Sequence, residues 1–285
     1  MPTWLRASLV ATSLLLSSAW LLDSPIHAVL LVAGAAGAGM VYALDRQSER
    51  QPVEQQRGGG LAHSVPGLRL APSAHLAPAA LLALPVLLIL LVAARTSSLP
   101  QRVWLAGAVA GALGLWYGLP GSWSLKCLLG AWRSPVIAFV WGGGVVLLPA
   151  LAMNNIPWLL VAVLAAYRTA WLLPNVLAAE YADRQVDREA GNPGLTATWT
   201  RRVFFRVAVG VCVAALVVGV CAALLLTSVG VVTMTRALVW LSLDAAGLAA
   251  FAILMQPHHA ITRHRVIYFD AIAAWPVIPA AVFLV

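Results

Sequence analysis

Long apolar runs separated by short polar stretches dominate the chain. They can be drawn near 5–22, 26–44, 76–94, 102–119, 134–153, 156–179, 203–226, 230–255 and 266–284, close to the roughly 17–25 residues with which a helix crosses a bilayer. Helix is the expected form, because a spanning segment must satisfy its own backbone hydrogen bonds. The pattern predicts nine transmembrane helices, with room for a short interfacial helix in "GLPGSWSLKCLLGAWRSP" between the fourth and fifth.

Composition agrees with the pattern. Of the 285 residues 61% are hydrophobic and 10% charged, with a mean hydropathy of +0.88, whereas a soluble domain is about 25% charged. The expected class is an all-α integral membrane protein forming a single polytopic membrane domain over residues 1–285. Cys127, Cys212 and Cys221 fall in or beside apolar runs without paired spacing, so they read as small packing residues rather than a disulfide or zinc framework.

Charge placement predicts orientation. With a cytoplasmic N-terminus, 13 of the 18 Lys and Arg residues fall on inside segments, while the outside loops hold only Arg95 and Arg102. This is the bias of the positive-inside rule, and it places the C-terminus outside. Reading the first run as a cleaved leader would leave eight helices and turn the Arg-rich loops outward, so an uncleaved first helix is expected. The net charge of +8 suits loops facing an anionic membrane surface and calls for no nucleic-acid partner. Residues 47–75, rich in Gln, Gly and Pro, read as a mobile cytoplasmic loop.

Two related hexapeptides stand out. "DRQSER" at 45–50 and "DRQVDR" at 183–188 each follow an apolar run, four helices apart, and so lie on the same side of the membrane. The chain divides accordingly into pseudo-repeat halves at about 5–119 and 134–255, plus a ninth helix at 266–284. In the second cluster Glu180, Asp183 and Asp187 stand at i, i+3 and i+7, which places three carboxylates on one helical face; Tyr42, Asp45 and Glu49 repeat that spacing. Acids at the C-terminal end of a helix oppose its dipole, so a cation is expected there. Two such stripes suit Mg²⁺, which takes one or two carboxylates and completes its shell with water and phosphate oxygens. The competing reading is a solvated rim in which the acids pair with Arg46, Arg50, Arg184 and Arg188.

Nine helices with acid motifs after the second and sixth resemble the UbiA superfamily of intramembrane prenyltransferases. "EYADRQVDREAGNPGLT" is similar to the family's second Asp-rich motif and its tail, carried here by Glu180, Asp183, Asp187, Arg188, Gly191, Gly194 and Thr196. "LKCLLGAWRSPVIAFVWGG" resembles the stretch before the family's fifth helix. The first motif departs, with Val41 and Tyr42 where the family has Asn and Asp, and Asp45 and Glu49 after them. The resemblance implies a UbiA-like bundle and a polyprenyl diphosphate bridged by Mg²⁺ to Asp45, Glu49, Glu180, Asp183 and Asp187, with Asp45, Asp183 and Asp187 catalytic. It further implies transfer of the prenyl group, through an allylic carbocation, to an aromatic or lipophilic acceptor in the membrane.

Lys126, Arg133 and Arg202 are the cations expected near the diphosphate. Tyr42, Asn175 and Trp141 are further substrate-side candidates, and Trp116, Tyr117 and Tyr167 are candidates for an aromatic pocket wall able to shield a carbocation. Arg168 and Asp244, at similar depth on the sixth and eighth helices, are expected to form a buried ion pair. The alternatives are a terpene cyclase that quenches the same cation internally, a non-catalytic lipid-binding protein, and a secondary transporter using the midplane charges.

Overall fold

The computed structural model describes residues 3–57, 99–118, 123–189, 191, 193–262 and 265–284, with backbone alone for 3–4, 44–57 and 282–284. The described residues are helical without a strand: α1 Thr3–Leu21, α2 Ala28–Arg57, α3 Gln101–Gly118, α4 Leu125–Leu129, α5 Arg133–Ala152, α6 Trp158–Glu189, α7 Arg201–Ser228, α8 Met234–Leu254, α9 Val266–Ala273 and α10 Val277–Leu284. Short 3-10 turns at Gly130–Trp132 and Leu195–Thr198 lead into α5 and follow α6. Four helical stretches, Leu125–Ala152, Trp158–Glu189, Arg201–Ser228 and Met234–Leu254, are long and apolar enough to cross a membrane, which supports a helical membrane protein. The predicted run 76–94 lies outside the described residues.

Three boundaries differ from the sequence expectation. α2 continues to Arg57 and α6 to Glu189, so both hexapeptides sit inside helices, and residues 47–57 of the expected loop are helical. Apolar periodicity ends at the membrane edge, but Gln, Glu and Arg are good helix formers and carry the helix onward. The ninth run is split into α9 and α10 by a turn at 274–276. Pro276 closes that turn, and proline lacks the N–H that would continue a helix.

α6 is the central helix, packing on α5, α7 and α9, while α1 packs on α2, α5, α9 and α10. In lipid, apolar faces gain little by leaving one solvent for another, so close packing and polar contacts must hold helices together. Gly142 of α5 shows the first device: a Cβ there would lie 2.6 Å from the Cα of Thr169, so α5 and α6 touch backbone to backbone. The interior of the bundle is filled by Leu164, Trp171, Phe204, Trp240 and Phe251, all fully buried. Short exposed α4, flanked by Trp123 and Trp132 at 84% and 70% exposure, has the aromatic character of a membrane–water boundary.

Candidate functional site

The acid face forms near the end of α6. At about 100° per residue, Glu180, Asp183 and Asp187 fall within a narrow arc. Glu180 and Asp187 are buried, at 6% and 9% exposure, and Asp183 is half-buried. What buries them is the start of α5 and the chain after α6. Arg133, the first residue of α5 and 4% exposed, forms an ion pair with Asp187. Ser134 donates its hydroxyl to Glu180. From the other side, Thr196 donates its backbone N–H to Glu180 Oε1 at 2.7 Å and its hydroxyl at 3.2 Å.

The segment carrying Thr196 lies so close that only glycine fits before it. A Cβ on Gly194 would overlap the Glu180 carboxylate and sit 2.8 Å from Arg133 Nη2. Arg188 in the last turn of α6 donates to the Ala197 carbonyl, fixing the same turn from its far end. Lys126 of α4 also acts electrostatically on Asp187, and Tyr117 at the end of α3 on Arg133.

The first stripe approaches the same place. α2 runs antiparallel to α5: Leu30 packs near Leu148 and Leu151, and Tyr42 meets Trp141 edge to face at 6.3 Å between ring centroids. Beyond that contact the α2 backbone rises roughly 10 Å to residue 49, and α5 falls about 12 Å back to Arg133. The backbone positions of Asp45 and Glu49 are therefore carried toward the end of the bundle that holds the acid face; their side chains lie outside the described residues.

Basic and aromatic groups line that end. Arg184 stacks on the Tyr181 ring at 3.7 Å, and Tyr181 packs on Phe204 at 4.4 Å. Arg201 donates to the Gln256 and His259 carbonyls at 2.8 and 2.9 Å, bringing the start of α7 to the finish of α8. Arg202 beside it is exposed. His259, in the connection after α8, is held below the ordinary histidine value, first by lost hydration and then by the positive groups His258, Arg265 and Arg201. No family model, curated protein or solved structure matches this chain.

The other candidates lie elsewhere. Asn175 turns to α9, donating to Asp270 Oδ1 at 3.3 Å beside the Arg6–Asp270 ion pair at 2.7 Å. Trp116 donates to the Trp123 carbonyl. Tyr167 and Arg168 stand about 18 Å down α6 from Glu180. There Arg168 and Asp244, at 0% and 1% exposure, lie 3.7 Å apart; Asp244 also accepts from Tyr167 and Trp240, and Arg168 donates to Ser17 of α1. Ser134 was not foreseen, although its place in the first turn of α5 beside Arg133 is a weak sign of a polar role.

The donor set fits Mg²⁺ in part. Among the described residues no three Asp, Glu, His or Cys side chains are placed to share one metal. Glu180 is already satisfied by Ser134 and twice by Thr196. Asp183 and Asp187, one turn apart, are two hard oxygen donors of the kind Mg²⁺ takes when phosphate and water complete its shell, with Asp187 held by Arg133.

Proposed function

We propose that the protein is a membrane-embedded prenyltransferase that receives a polyprenyl diphosphate at the α6 acid face and transfers its prenyl group to an aromatic or lipophilic acceptor. In this reading nine helices span the cell membrane with the N-terminus and the acid face cytoplasmic. The observation that carries it is the convergence of buried carboxylates, Arg133 and Lys126 at the end of the bundle toward which the Asp45–Glu49 stretch of α2 also runs.

Each group has a task in that chemistry. Asp183 and Asp187, with Asp45 and Glu49 from α2, would hold Mg²⁺, which supplies positive charge to the departing diphosphate. Arg133 and Lys126 bind the diphosphate oxygens, the guanidinium by its planar fork. The allylic C–O bond breaks with its electron pair going to the diphosphate. The acceptor's nucleophilic atom then bonds to the allylic carbon and gives up a proton to the released diphosphate. Tyr42 and Trp141, edge to face about 12 Å along α5 from Arg133, offer aromatic surface to the prenyl chain below the site. Glu180 positions the Gly194–Thr196 segment over the acid face.

One observation favours a second reading, a non-catalytic protein that binds a prenyl lipid. The carboxylates of Asp187 and Glu180 are already paired within the protein, and the first motif has Val41 and Tyr42 in place of its polar pair. Purified protein, with farnesyl and geranylgeranyl diphosphate, separates the two. Diphosphate release that requires Mg²⁺ and disappears in Asp183→Ala/Asp187→Ala is the expected result. Binding without release, across a panel of aromatic and lipid acceptors, favours the second reading. A folded protein that binds neither ligand sinks both.

A further inference from the structure

We propose that Arg133 is the resident counter-ion of the acid face and passes from Asp187 to the diphosphate when ligand arrives, so that the site takes its metal together with the diphosphate rather than before it. This rests on the diphosphate reading above and deepens it.

The argument starts from burial. The Arg133 and Asp187 side chains are 5% and 12% exposed, and a charge left alone in such a place is strongly unfavourable while a paired one is tolerated. A divalent cation arriving alone meets a guanidinium already on Asp187, with Lys126 acting on the same carboxylate, and like charge opposes it. A diphosphate arriving with the metal changes both sides of the exchange. The guanidinium fork fits phosphate oxygens as well as it fits a carboxylate, so Arg133 stays paired when it leaves Asp187. The metal then replaces it on Asp187, and neither buried charge stands alone at any point.

The fold already holds the guanidinium where the exchange would occur. Arg133 opens α5, and its guanidinium already reaches the space beside Gly194, between Glu180 and Asp187. Exchange needs only rotation about side-chain bonds. Glu180 remains fixed by Ser134 and Thr196 throughout, which keeps the Gly194–Thr196 segment in place.

The test uses full-length protein in detergent, Mn²⁺ as the spectroscopic stand-in for Mg²⁺, and inorganic pyrophosphate. Without pyrophosphate, Arg133→Gln binds Mn²⁺ roughly tenfold more tightly than the unsubstituted protein. Lys126→Gln, which removes the same charge nearby, gives a clearly smaller gain, and adding Asp187→Asn to Arg133→Gln abolishes the gain. A reciprocal measurement avoids the Arg133 variant. Asp187→Asn removes the ion-pair partner of Arg133 and so tightens metal-free pyrophosphate binding more than Asp183→Asn does. Equal effects of Asp187→Asn and Asp183→Asn, or no Mn²⁺ gain in Arg133→Gln, would overturn the exchange while leaving the diphosphate reading standing. Absence of acid-dependent Mn²⁺ binding even with pyrophosphate overturns the diphosphate reading itself.

Discussion

Arg168 and Asp244 make the case that a buried ion pair can organise an interior without being its reactive centre. Asp244 accepts from Tyr167 and Trp240 and faces Arg168, which reaches Ser17, so α1, α6 and α8 meet at one carboxylate and one guanidinium. Removing one partner strands the other, at a cost of about 3–5 kcal/mol in buried sites. Asp244→Leu and Arg168→Met are each expected to lower the thermal midpoint in detergent markedly. The double variant should cost less than their sum, although Tyr167 and Trp240 still lose their acceptor. Strict additivity in that cycle would show that the two charges do not act as a pair. This pairing was legible because helical rise sets depth from sequence position alone. The same arithmetic placed the three acids on one face. It could not reveal that Thr196 and Ser134 would occupy Glu180, because that depends on a segment folding back across the helix end, and no local spacing encodes such a return.

Among helices, the apolar runs marked both ends of α1, α3, α5, α7 and α8 closely, but not the ends of α2 and α6. α2 and α6 outlast their runs by carrying helix-forming polar residues, and Pro276 divides the last run where hydropathy alone is continuous. Packing between helices was also hidden, since a small residue in an apolar run looks the same whether it faces lipid or a neighbour. Gly142 and Gly143 illustrate the difference: a Cβ at 142 meets the Thr169 backbone, and one at 143 meets nothing within 4 Å. Gly142→Val should therefore force α5 and α6 apart and destabilise the protein by about 1–3 kcal/mol, the usual range for overpacking. Gly143→Ala should change the thermal midpoint little or raise it slightly, as expected for a better helix former. Equal midpoints for the two variants would show that the α5–α6 contact is not tight at Gly142.

Among the described residues, the α6 acid stripe and its basic partners Lys126, Arg133 and Arg188 gather at one end of the bundle. α6, with 32 residues, is about 48 Å long, well beyond the roughly 30 Å of hydrocarbon it has to cross. In the proposed placement its last third extends past the apolar slab, and that third holds Glu180, Asp183 and Asp187. α2, with 30 residues, is about 45 Å long and carries Asp45 and Glu49 near the end of its apolar stretch. If Lys and Arg set orientation, this end faces the cytoplasm, where a soluble diphosphate-bearing precursor would be met. Cys127 reports on that directly, because it is exposed on α4 next to Lys126, whereas Cys212 is buried and Cys221, though exposed, lies within the apolar length of α7. A water-soluble, membrane-impermeant maleimide should label the protein in inverted vesicles and not in intact cells, and Cys127→Ser should remove the signal. Labelling of Cys127 in intact cells would place the acid face outside and reverse the proposed orientation. It would also require the diphosphate to be delivered from the far side of the membrane, a demand that a cytoplasmic acid face avoids.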